Sequence, residues 1–110
     1  MAYDEELAAR IREHAAGEPV EEKKMFGGLA FLLGGHMAVA ASGQGGLMVR
    51  VGPAETAALL EEPGAAPFEM SGRGAMDGWL RVSSEAVADD AVLARWVDRG
   101  LAYAGSLPPK

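Results

Sequence analysis

Two glycines set between two apolar runs constrain this chain more than any other feature. Leu29 to Leu33 and His36 to Ala41 flank Gly34-Gly35, and nearly every residue in both runs is apolar. A two-residue loop with positive φ closes a β-hairpin, and glycine reaches positive φ without steric penalty. A strand with one wet face would alternate polar and apolar residues. These runs do not, so they read as strands buried on both sides. Pairing outward from the turn sets Leu33 opposite His36, Leu32 opposite Met37, Phe31 opposite Ala38, Ala30 opposite Val39 and Leu29 opposite Ala40. Helices must then cover one face, and helices or a second subunit the other.

The flanking sequence supplies helices. Asp4 to Ala16 carries Leu7, Ala8, Ile11 and Ala15 on one stripe, with Asp4, Glu5 and Glu6 at the positive end of the dipole and Gly17 and Pro19 beyond its end. Glu21 to Lys24 reads as a charged lead-in to the hairpin. Leu47 to Val51 is a third strand whose only charge is Arg50, and Gly52-Pro53 stops it and opens a short helix to Glu62. Pro67 to Ser71 and Trp79 to Val82 read as two more strands, with Gly72-Arg73-Gly74 and Asp77-Gly78 as turns. Asp89 is placed to cap a final helix with an apolar face of Val92, Leu93, Trp96, Val97, Gly100, Leu101 and Ala104. The order is α-β(3)-α-β(2)-α. This is an α+β class, with a mostly antiparallel five-stranded sheet and three helices in one domain over residues 1–110.

Several chemistries are excluded by what the chain lacks. With no cysteine there is no disulfide, thiolate metal site or thiol nucleophile. His14 and His36 stand alone, outside any metal-binding spacing, so no metal and no cofactor is expected. No serine sits in a nucleophile elbow, and the paired carboxylates lie at element ends, where they are solvated. The glycine loops lead into strands rather than opening helices, which leaves no phosphate cradle. The chain therefore reads as no enzyme, without catalytic residues. A net charge of −6 opposes a phosphate backbone, so direct nucleic-acid binding through Lys23, Lys24, Arg50, Arg73 and Arg81, with Phe26 or Trp79 stacking, is the weakest reading. The acidic N-terminus is unlike a signal peptide, and the longest apolar stretch is too short and too interrupted to span a bilayer. The expectation is a cytoplasmic protein.

The run KKMFGGLAFLLGGHMA, then LMVRVGP, then Pro67-Phe68 with Gly78-Trp79, and finally RWVDRGLAYAGSLPPK, resembles the N-terminal domain of the TfoX/Sxy family of bacterial competence regulators from Tyr3 to Lys110. MFGG from Met25 followed by MVRVG from Met48 carries most of that specificity. The resemblance implies a fold like that of secretion chaperones, with the same element order, and no assigned catalytic residues. It also implies a regulatory role, since full-length members carry a second, helical domain and switch on DNA-uptake genes with a cyclic-AMP-responsive activator.

Within the motif, Met25, Gly27, Gly28, Gly52 and Trp79 read as structural residues. Lys23, Lys24, Phe26, Arg50 and Arg73 read as an interaction surface for a protein partner such as a transcriptional regulator, or for a second copy in a homodimer. Arg50 would be costly if buried unpaired, so it reaches the surface or meets an acid such as Glu22 or Glu69. The alternative is a small-molecule-binding protein or an uncharacterised enzyme with an anionic-ligand pocket beside Arg50, Arg73 and His36.

Overall fold

The Gly34-Gly35 turn forms with φ of 62° and 85°, so both central residues take the left-handed conformation that a tight hairpin demands. The computed structural model describes residues 3–25, 27–43, 45–70 and 74–109, of which 69, 70 and 74–77 are described by their backbone. Among the described residues the order is α1 (Glu5–His14), β1 (Glu21–Met25), β2 (Gly28–Leu33), β3 (His36–Ala41), β4 (Leu47–Arg50), a 3-10 turn (Pro53–Glu55), α2 (Thr56–Leu59), β5 (Ala65–Met70), β6 (Gly74–Val82), α3 (Ser84–Val87) and α4 (Asp90–Ser106). The strands form one antiparallel sheet in the order β1-β2-β3-β4-β6-β5.

The α+β class and the antiparallel sheet are as expected, with six strands in place of five and four helices in place of three. The sixth strand is β1, the stretch expected to be a charged lead-in. Four of its five residues are charged and exposed, so it has no apolar period to betray it. It is held by its backbone ladder to β2, and charge is how edge strands avoid further pairing. The extra helix, α3, is a single turn capped by Ser83, whose Oγ accepts from the Ala86 N–H at 3.1 Å. Asp77-Gly78, expected as a turn, lies inside β6. There Gly78 has φ 87°, donates its N–H to Thr56 Oγ1 at 2.8 Å and accepts from Val51 N–H at 2.8 Å.

The hairpin register corrects the expected one. Leu33 faces His36 and Leu32 faces Met37, but Phe31 then pairs with Val39, Ala30 with Ala40 and Leu29 with Ala41. The extra residue is Ala38. A β-bulge turns consecutive side chains toward the same face, and here Ala38 and Val39 both enter the core beneath the helices. The reason lies across the interface. A Cβ on Gly100 of α4 would collide with the Ala38 carbonyl and lie 2.8 Å from Val39 Cγ1, so the helix backbone presses directly on the bulge.

The two faces of the sheet are covered differently. On one, α1 and α4 bury Ile11, Phe31, Val39, Val49, Leu80, Leu93 and Trp96 in the main core. The long α4 is started by Asp89, whose carboxylate accepts from the Ala91 and Val92 N–H groups. On the other face Ala30, Met37, Ala40 and Met48 form a smaller cluster, none more than 6% exposed, with half-buried Met25, Leu32, Phe68 and Trp79 packed against it. No helical residue belongs to that cluster. Flanking strand side chains pack around its floor, and among the described residues no second layer of helices covers it.

The 3-10 turn and α2 replace the single helix expected over Pro53 to Glu62. Thr56, buried at their junction, donates from Oγ1 to the Gly52 carbonyl at 3.3 Å and accepts from Gly78 N–H. After α4 the chain returns to the hairpin, where His36 Nε2 donates to the Pro108 carbonyl at 2.7 Å.

Candidate functional site

Cations divide by layer. On the helices, Arg12 makes a two-pronged contact with Glu22, at 2.6 and 2.7 Å. Arg10 and His14 both reach Asp90, at 3.2 and 3.1 Å, tying α1 to α4. Arg99 meets both oxygens of Glu62, at 3.2 and 3.4 Å, and Arg95 approaches the same carboxylate at 3.8 Å. Hydrogen bonding from Arg12 holds the Glu22 carboxyl below its ordinary range. Hydrogen bonds from His14 and then Arg10 do the same for Asp90. On the strands the pattern reverses. Lys23, Lys24, Arg50 and Arg81 have no ion pair among the described residues.

The strand register assigns these cations to faces. Lys23, Ala30, Ala40, Met48 and Arg81 stand opposite one another in turn from β1 to β6, forming one row across the sheet. Directly opposed residues share a face, so this row lies on the outer face, where Ala30, Ala40 and Met48 cluster. Lys23 and Arg81 bracket it. Lys24 pairs with Leu29, a residue of the helix-side core, and so points to the other face, as Glu22 does. The two adjacent lysines therefore do not act as one patch.

Arg50 ends β4 opposite Trp79. Its guanidinium carbon lies 5.2 Å from the centre of the Trp79 ring and 5.6 Å from that of Tyr103 on α4. Two rings flank the guanidinium, for which the surface or an acid such as Glu22 or Glu69 was expected. Glu22 is engaged by Arg12, and the Glu69 side chain lies outside the described residues. Contact with a ring stabilises a cation by about 0.5–1 kcal/mol at exposed sites while leaving its donors free. Trp79 leans on Phe68 at 6.4 Å between ring centres. Met25 packs on the outer cluster.

The motif glycines have separate tasks. Gly27 has φ 76° between β1 and β2. Gly28 has no room for a Cβ, which would strike the Ala41 carbonyl. Gly52 is buried, and a Cβ there would sit 2.9 Å from Glu55 Oε2. Phe26 and Arg73, the other residues expected in an interaction surface, lie outside the described residues.

Of the residues expected beside an anion, His36 and Arg50 lie on different faces of the sheet, and Arg73 lies outside the described residues. His36 pairs with Leu33 toward the helix side and is engaged by Pro108, whereas Arg50 shares the outer face with Trp79. Neither lines the cavity of about 300 Å³ between Val51, Glu55, Leu59, Arg99, Ala102 and Tyr103. Sequence reasoning weighed Arg81 only for nucleic acid and passed over Tyr103. The alternation in Trp79-Leu80-Arg81-Val82 was the signal for Arg81, but none joined Tyr103 to Arg50.

Residues 12–104 match the family model of the TfoX N-terminal domain. The chain belongs to this family. The match runs from α1 to the last turns of α4 and takes in both faces of the sheet. No curated protein and no solved structure matches the chain. The family supports a domain like that of competence regulators. Among the described residues, no helix is long and apolar enough to cross a membrane.

Proposed function

We propose that this TfoX N-terminal domain is a non-catalytic regulatory module of the cytoplasm, binding a protein partner such as a transcriptional regulator through the outer face of its sheet. The observation that carries the reading is the division of the cations. In a chain of net charge −6, Lys23, Arg50 and Arg81 have no ion pair among the described residues and stand on one face, around half-buried Met25, Leu32, Phe68 and Trp79. Unpaired cations beside partly exposed apolar groups favour a partner that can neutralise and bury them.

Docking on the face is favoured over addition to an edge. One edge is β1, short and charged, and the other is β5, which carries Pro67. Both are devices that discourage strand addition. A second copy is disfavoured as occupant, because a twofold contact through this face would bring two sets of unpaired cations together.

The test is capture from nuclease-treated lysate with the wild type and with Arg50→Glu/Arg81→Glu, both checked by near-ultraviolet circular dichroism. A discrete protein retained by the wild type and lost by the folded double variant is the expected result. Recovery of the same proteins by both baits removes the outer face from the proposal. Sedimentation of a stable dimer that the double variant dissociates assigns the face to a second copy.

A further inference from the structure

We infer that the outer face takes an acidic amphipathic helix of the partner protein, laid across the strands. This rests on the interaction reading above and names the chemistry of its partner. Lys23 and Arg81 stand at the two ends of one row, four strand spacings apart. At about 4.8 Å per spacing the row is about 19 Å long. A helix rises 1.5 Å per residue, so about 13 residues cover that distance. Carboxylates near both ends of such a helix meet Lys23 and Arg81, and a third, one strand spacing short of the Arg81 end, meets Arg50 on β4. Its apolar stripe covers the outer surfaces of Met25, Leu32, Phe68 and Trp79, all half-buried.

The composition of the face chooses between occupants. Methionine adapts its shape to an apolar partner, and Met25, Met37 and Met48 all belong to this cluster. Aliphatic side chains outnumber rings there, whereas a single-stranded nucleic acid gains its affinity by stacking on rings within a continuous basic groove. Glu21, opposite Leu32 on the same face, interrupts any such groove. A helix can place its carboxylates away from Glu21, but a phosphate chain has no uncharged stretch to offer it.

The probe is a designed helical peptide of about 18 residues with leucines at i, i+3, i+4 and i+7 and glutamates on its flanks. The controls are the same peptide with every glutamate replaced by lysine, and a thymidine oligonucleotide. Binding is followed by the two indole N–H resonances of the full chain in a nitrogen–proton correlation spectrum, and by fluorescence anisotropy at several salt concentrations. The expected result is that the acidic peptide binds at least about tenfold tighter than the basic one and weakens with salt. It should shift the indole signal of half-buried Trp79 and leave that of buried Trp96 in place.

Lys23→Glu, on an exposed edge strand, and Arg81→Glu should each weaken the acidic peptide severalfold, while Arg81→Lys restores most of the affinity. Equal binding of the two peptides, binding of neither, or stronger binding of the oligonucleotide overturns the inference. If the acidic peptide fails while the lysate partner is still lost in Arg50→Glu/Arg81→Glu, the interaction reading stands and only the chemistry of the partner is wrong. If both tests fail, the interaction reading falls as well.

Discussion

The two faces of one sheet are built on opposite terms. Beneath the helices, the sheet buries large side chains completely, and the helix cations Arg10, Arg12, Arg95 and Arg99 each meet a carboxylate, with Lys24 of the edge strand the exception on that side. On the outer face the floor is small or flexible, Ala30, Ala40, Met37 and Met48, and the surrounding cations have rings or solvent for company. A face that exists for stability satisfies its own charges, since an unmet charge near a core is expensive. The outer face leaves Lys23, Arg50 and Arg81 without an ion pair among the described residues of a chain that has 16 acidic residues. The lesson is that charge pairing, read layer by layer, separates the part of a small domain that holds it together from the part available to others.

The division can be broken most directly at the two tryptophans. Trp96 is 1% exposed in the helix-side core, and Trp96→Ala should cost about 4 kcal/mol in urea unfolding. Gly100→Ala comes next. A methyl group there drives α4 off the Ala38 bulge, and overpacking of this kind costs about 2–3 kcal/mol. Trp79→Ala on the outer face should cost only about 1 kcal/mol while abolishing partner capture. If Trp79→Ala destabilises the fold as much as Trp96→Ala, the two faces do not divide the work. Asp89→Ala removes the cap of α4 and should cost about 1 kcal/mol without touching capture.

The smallest effect sharpens the electrostatic half of the comparison. Arg12 depresses the Glu22 carboxyl in the folded chain. Between that depressed value and the ordinary carboxylate range, the unfolded chain holds the proton and the folded chain does not. Stability from this pair is therefore fully present above the ordinary range, and it is lost as pH falls through the folded value. Glu22→Gln should flatten the fall in melting temperature under acid, and by little, because the pair is largely exposed. Lys23→Gln, one residue away but on the unpaired face, should leave the acid limb of the profile unchanged.

Much of the fold was legible because burial leaves a period in the sequence. The Gly34-Gly35 turn, the apolar stripe of α1 and the long face of α4 all announced themselves in this way. β1 did not. Its pairing is carried by backbone, and its exposed side chains follow no core period. The Ala38 bulge was equally hidden, since a run apolar on every residue fits either register.

The candidate surface was legible only in part. Lys23, Arg50 and Trp79 were found as members of a motif, but Lys24 was grouped with Lys23 although the pleat sends it to the other face. Arg50 was assigned to the surface or to an acid and never to a ring, because charge complementarity is easier to read from a sequence than a ring brought in from a distant helix.

By itself the sequence determined the class, the Gly34-Gly35 turn, the Asp89 cap and the family, all of which depend on local spacing or on short motifs. The tertiary structure decided which cations are spoken for. An ion pair such as Arg10–Asp90 joins residues far apart in the chain, and whether a charge is met depends on which elements the packing brings within a few ångströms. No local pattern carries that distance, so the row from Lys23 to Arg81 appears only once five strands lie side by side.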